Sequence, residues 1–283
     1  MEGRANLHHR STTVAHLDGM VDRASKSVLH DCRRYLPAAI AVGVSGLMLV
    51  AQVSPALGAF RLAAGPVEYS RAALWVGPAA ARAVDQSRGL SAFAASRLWL
   101  DPQIARIETL SAIIGSGEAG QTALVSALDI TPQGLSYAAV VSPEQRRMLA
   151  EPGTVLIGKA DADRLGLGAG DPIRINRQQL RVAGVVPHLR ALFGMPLLAS
   201  EATRRALSAE GGGTPGFYLV ALKPGADPAA VAQQLMDTTP APEFRVWTAQ
   251  ELSASTIRVW ALESGDDVRR LGGARAGDHA DPA

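Results

Sequence analysis

No charged residue occurs between Tyr35 and Phe60, a run fenced by Arg33 and Arg34 before it and Arg61 after it. As a helix rising about 1.5 Å per residue, the run would extend roughly 37 Å, longer than the ~30 Å hydrocarbon core of a bilayer. Pro37 and Pro55 fall near its two ends, where fraying or tilt takes up the excess. The run reads as a membrane span, so everything after it lies on the far side of a membrane. Flanking charge gives the direction: Lys26, Arg33 and Arg34 stand close before the span, which holds the N-terminus in the cytoplasm. A cleavable signal peptide ending at Ala56-Leu57-Gly58 is the competing reading. Signal peptides carry apolar stretches of about 7 to 15 residues near the start of the chain, and this run is longer and starts late. Its length favours an uncleaved anchor.

Composition narrows what the exported part can do. Residues 61 to 283 hold 22 basic and 22 acidic side chains, so the net charge of +2 comes from the N-terminal segment. A neutral domain lacks the basic footprint that nucleic acid requires, and no nucleic-acid partner is expected. The single cysteine, Cys32, precedes the span. No disulfide can therefore form within the exported part, whose stability must come from an ordinary apolar core.

Along the chain, Val14, Leu17, Val21, Ala24 and Val28 recur at helical spacing between charged residues, which predicts an amphipathic helix on the inner membrane face. After the span, short strands and helices alternate. Ala73 to Val76 reads as a strand stopped by Gly77-Pro78, Gly89 to Leu98 is mixed, and Asp101-Pro102-Gln103-Ile104 looks like a helix start. Ala123 to Ile130 has the length and β-branched content of a strand. Ser142-Pro143-Glu144-Gln145 has the cap, first-turn proline and acidic residue of a helix leading into Arg146 to Ala150. Residues 151 to 186 are the most regular: a strand at Thr154 to Ile157, a helix at Ala160 to Leu165, a strand at Pro172 to Ile175, and its hairpin partner Leu180 to Val186 across Asn176 to Gln179. Gly166 stands where a helix end wants a left-handed residue. Beyond Gly211-Gly212-Gly213, a flexible break, come a strand at Phe217 to Leu222, a helix from Asp227 to Met236, a break at Pro240 to Pro242, a strand at Phe244 to Trp247, and a last helix, Ala249 to Leu262, capped by Thr248. The β-α-β order of 217 to 247 predicts a small open sheet of its own. The fold class is thus α+β: one N-terminal transmembrane helix followed by two small β/α subdomains.

Catalytic chemistry is hard to find. Gly166, Gly168 and Gly170 run from helix to strand, the reverse of a phosphate-cradling loop. The histidines are scattered, no pair has metal-ligand spacing with a further ligand nearby, and no G-x-S-x-G elbow occurs. No catalytic, cofactor-binding or metal-binding residue is assigned and no cofactor is expected. Only convergence of groups such as Asp129, His188 and Glu201 in one cleft would raise a hydrolase reading.

The span together with V155-LIGKADADRLGLGAGDPIRINRQQLRVAGVV-186, and the later segments Ala199 to Arg204 and Tyr218 to Leu235, resembles the permease subunits of MacB/FtsX-type ABC transporters, with the DevC-like exporter permeases as the subgroup. The resemblance covers residues 25 to 263, and its motifs are packing and turn signals. It implies a cytoplasmic segment (1–34), a transmembrane helix (35–60), a MacB-like periplasmic core domain (61–262) and a polar, disordered tail (263–283). It implies a non-enzymatic, single-pass protein of the bacterial inner membrane. Its partners would be an ABC ATPase, a periplasmic membrane-fusion adaptor and membrane lipid, with pairing of two chains left open. Such permeases have three further spans after the exterior domain, whereas Glu263, Asp266, Asp267, Arg269 and Arg270 forbid a span here; a truncated permease product is the corresponding expectation. An exported or anchored periplasmic binding module without a transport role is the alternative function.

Overall fold

The computed structural model describes residues 36–55, 58–85, 89–118, 120–208, 214–238 and 243–274. The predicted amphipathic helix, the glycine break at 211–213, the proline break at 240–242 and the end of the polar tail lie outside these residues. The chain divides into two units, Met1–Leu57 and Gly58–Ala283. The long apolar run forms helix α1, Leu36–Ala63, the one helix among the described residues long and apolar enough to cross a membrane. It continues past Phe60 through Arg61, because a charge ends a bilayer span without ending a helix.

In the second unit, nine strands make one mixed sheet in the order β5-β6-β4-β7-β3-β2-β8-β1-β9. A short helix α2 (Gly65–Glu68) leads to β1 (Leu74–Pro78), α3 (Ala92–Leu98), β2 (Ile104–Ser116) and β3 (Thr122–Ala127). Next come α4 (Pro143–Met148), β4 (Thr154–Gly158), α5 (Lys159–Leu165), β5 (Pro172–Ile175) and β6 (Gln178–Val186). The chain finishes with β7 (Met195–Ala199), α6 (Glu201–Leu207), β8 (Phe217–Leu222), α7 (Pro228–Asp237), β9 (Phe244–Thr248) and α8 (Ala249–Ala274). The mixed α/β class and the single N-terminal apolar helix agree with the sequence reading.

Four corrections stand beside that agreement. Asp101 does not start a helix: its carboxylate accepts the Gln103 N–H at 2.8 Å, an Asx turn that throws the chain into β2. Second, the β5–β6 hairpin turns on two residues, not four. Asn176 and Arg177 both take positive φ (49° and 66°), the conformation that matches strand twist, and Gln178 already belongs to β6. Third, residues 217 to 247 do not form their own sheet. β8 and β9 both pair antiparallel with β1, which lies between them, so the β-α-β segment is split by a strand from earlier in the chain. The last helix also runs to Ala274, beyond the predicted end at Leu262; its charged residues oppose a bilayer core, not a helix.

Strand β2 joins the two halves of the sheet. Residues 104–110 pair with β8, whereas 111–116 pair with β3. One face of the β8-β1-β9 half packs Leu74, Val76, Val220 and Val246 against α3 and α7; burying their apolar stripes there gives those short helices most of their stability. On the other half, Val125, Val155, Ile157, Val182 and Leu197 form a second core. A third cluster crosses the junction, where Trp75, Leu110, Phe217, Leu219 and Trp247 pack with Leu156 and Leu198.

Candidate functional site

The helices on either side of the sheet segment β1–β9 attach side by side. Leu74, the first residue of β1, pairs with Thr248, the last of β9, so α2 and α8 attach at the same end of two hydrogen-bonded strands. No loop separates β9 from α8. Thr248 makes a reciprocal cap with Glu251: its N–H donates to Oε2 at 2.9 Å, and the Glu251 N–H donates to its Oγ1 at 3.2 Å. Leu252, Thr256 and Val259, at helical spacing, are all buried. Thr256 Oγ1 accepts the Val84 N–H at 3.3 Å, and the Ser255 hydroxyl donates to the Arg82 carbonyl at 2.7 Å. The first turns of α8 are thereby fastened to the segment that follows β1.

A polar network fixes the loop between β3 and α4. Arg146, on α4, is 1% exposed. It is held inside by the Asp129 carbonyl (2.5 Å) and the Ser136 carbonyl, with the Glu108 carboxylate nearby. Burial pushes its pKa down and Glu108 pushes it back up. Glu108 accepts the Leu135 and Ser136 N–H groups and the Ser136 hydroxyl. Gly134 is obligatory here, since a Cβ would stand 2.7 Å from the Asp129 carbonyl oxygen and closer still to the Arg146 guanidinium. Buried charge paired and hydrogen-bonded in this way specifies one loop conformation.

The groups that would have argued for hydrolysis stand in different settings. Asp129 pairs with Arg106 and accepts the Thr131 N–H at 2.8 Å. Burial raises its pKa, but the Thr131 hydrogen bonds and the Arg106 guanidinium prevail and hold it below the usual carboxylate range. Glu201 opens α6 and binds Arg204 (2.8 Å) and Arg205 (2.7 Å), which likewise outweigh burial and lower its pKa. His188 is exposed in the β6–β7 connection. Each carboxylate is neutralised by its own arginines, and the two share no partner among the described residues. Among those residues, no three His, Cys, Asp or Glu side chains gather as metal ligands either. Gly166 caps α5 in the left-handed conformation (φ 66°), and Gly168 N–H donates to Asp171 at 2.7 Å, so the glycine pattern builds a turn.

A cavity of about 730 Å³ lies where β8 parts from β2. Its walls include Leu62, Leu110, Ile114, Leu124, Phe193 and Trp260. Phe193 and Trp260 meet across it at 5.2 Å between ring centroids. Sequence reasoning missed this site, because it depends on β2 being one long strand shared by two halves.

The sequence profile of the MacB-like periplasmic core domain matches residues 38–238. No curated protein matches the chain significantly. Among solved structures, the periplasmic region of MacB from Actinobacillus actinomycetemcomitans is similar at 13% identity and a TM-score of 0.43, covering 67% of this chain and 94% of that one. The extracellular domain of the noncanonic ABC-type transporter YknZ from Gram-positive bacteria is similar at 11% identity and a TM-score of 0.39, covering 62% and 99%.

Proposed function

We propose that this chain, which belongs to the MacB-like periplasmic core domain family, serves as a permease-type membrane subunit of an ABC exporter. The family match over residues 38–238 carries this reading. In it, residues 1–34 face the cytoplasm, α1 crosses the inner membrane, and the domain from Arg61 to Leu262 stands in the periplasm. Movement driven by a cytoplasmic ATPase reaches this domain through its helices and passes to a periplasmic adaptor protein. A DevC-like exporter is the subgroup favoured by the sequence segments quoted above.

Such a role needs a stiff lever and no chemistry of its own. The attachment of α2 and α8 to adjacent paired strands supports it, as does the capping of α8 directly onto β9. Strands hydrogen-bonded along five residue pairs, as β1 and β9 are, move together. The test is affinity purification of the full chain from detergent-solubilised native membranes, with mass spectrometry of everything retained. Recovery of an uncleaved N-terminus with an ABC ATPase and an adaptor is the expected result. A chain cut near Gly58 and free of both would overturn the reading in favour of an exported binding module.

A further inference from the structure

We infer that the tip of the β6–β7 connection, Leu192-Phe193, is an interfacial anchor that rests in the headgroup layer of the bilayer that α1 crosses. It rests on the proposed crossing by α1, and its own basis is a matching of levels along two antiparallel helical paths. The path through α1 and α2 arrives at the sheet end from which α8 departs, where Leu74 pairs with Thr248. The two paths touch: the Ser253 hydroxyl donates to Glu68 at 3.5 Å, and Val67 and Leu252 share one core cluster. Seven residues lead from Ser253 on to Trp260, and seven lead back from Glu68 to Arg61. In helical conformation each stretch is about 10 Å long. α1 runs to Ala63 and α2 starts at Gly65, so the arriving path is helical nearly throughout. Leu62 and Trp260 accordingly line the same cavity. Arg61 is the first charge after the uncharged run, so the level of Trp260 is where hydrocarbon gives way to headgroups.

Phe193 stands at that level, its ring centroid 5.2 Å from that of Trp260, yet it is 61% exposed. The turn that carries it is fixed at both ends. The Arg190 backbone lies against the Tyr69 hydroxyl, just after α2. Gly194, at φ 68°, sits so close to β3 that a Cβ would stand 2.6 Å from the Thr122 carbonyl oxygen. A large apolar ring held outward at this depth lies in the acyl boundary, while the exposed Arg190, three residues earlier, keeps its guanidinium among phosphates and water. Trp99 and Leu100 are equally exposed (59% and 75%) but stand elsewhere. They precede the start of β2, at the sheet end where Thr248 caps α8. From that end α8 runs back toward Arg82 and Val84, beyond the opposite end of β1. Trp99 and Leu100 therefore face water.

Nitroxide accessibility on the full chain in phosphatidylcholine vesicles tests this, using Cys32→Ser as background and Leu47→Cys, Leu100→Cys or Phe193→Cys as the single label site. Oxygen, which partitions into lipid, is expected to relax the labels at 47 and 193 more than a water-soluble nickel chelate does, and the order should reverse at 100. With Phe193 intact, phosphatidylcholine brominated near the headgroup should quench a fluorescence component that Trp260→Phe removes. Phe193→Asp should lose that quenching. A label at 193 that behaves like the one at 100, with 47 still in lipid, would overturn the anchor and leave the crossing by α1 standing. Water-like behaviour at 47 would remove both. Spin–spin broadening at 193 without lipid accessibility would also overturn the anchor, since a second copy would then cover the tip.

Discussion

Arg146 shows how one residue can order a loop. It sits on a short helix between Glu144 and Arg147, which form an exposed ion pair with each other. Arg146 turns inward instead, where the Asp129 and Ser136 carbonyls accept its N–H groups and the Glu108 carboxylate is close enough to act on its charge. The cap that starts this helix was legible from Ser142 and Gln145, and the structure contains the reciprocal bonds at 3.3 and 2.9 Å. The burial of Arg146 was not legible, since its partners come from Glu108, Asp129 and Ser136 in other elements. Arg146→Ala should strand two buried carbonyls and the Glu108 carboxylate, costing about 3 kcal/mol of unfolding free energy in urea titration. The lowered pKa values of Asp129 and Glu201 fix the sign of the acid response. A carboxylate with a depressed native pKa stabilises fully above its unfolded value, here 3.8 and 4.5, and loses that contribution as pH falls through the native value. The melting temperature should therefore fall as pH drops below about 4.5. Asp129→Asn should lower it at neutral pH and flatten its fall in acid, as read by thermal melts across that range.

At the scale of elements, local signals carried far. The β4-α5-β5-β6 passage follows its turn chemistry closely, from the left-handed Gly166 to the β-branched residues of β6. Strand β2 escaped because its alternation is broken twice. A register shift between Ile104 and Arg106 offsets its first residues, and Ile113-Ile114 places apolar side chains on both faces. The Asp-Pro dipeptide before it carries the same residues as a helix start, and tertiary bonds distinguish the two: Gln234 Nε2 donates to Asp101 (3.2 Å) and the Lys223 N–H to the Gln103 carbonyl (2.8 Å). The tight β5–β6 turn was misjudged in length because arginine is unusual at positive φ. Arg177→Gly should relieve that conformation and stabilise the domain by about 0.5 kcal/mol, measurable as a shift in the denaturation midpoint at unchanged slope.

The whole molecule is governed by strand order. Sequence order suggested two consecutive units, whereas β1 inserts between β8 and β9 and β2 belongs to both halves. Long-range pairing of this kind leaves no local mark, since each strand sees only its own turn and pattern. Its consequence is that α2 and α8 attach to neighbouring strands, which fits the lever of the proposed function. Under the proposed function, helix movement reaches the domain through the uninterrupted β9–α8 junction. The measurement that tests it is export by the assembled transporter, together with its ATPase and adaptor, after insertion of two glycines between Thr248 and Ala249. Breaking the cap and the continuity of strand and helix there should reduce export at least tenfold, the insertion being a flexible hinge in place of a stiff junction, while copurification of the ATPase and adaptor stays unchanged. Export at the level of the unmodified chain, with the insertion present and the complex intact, would contradict the account.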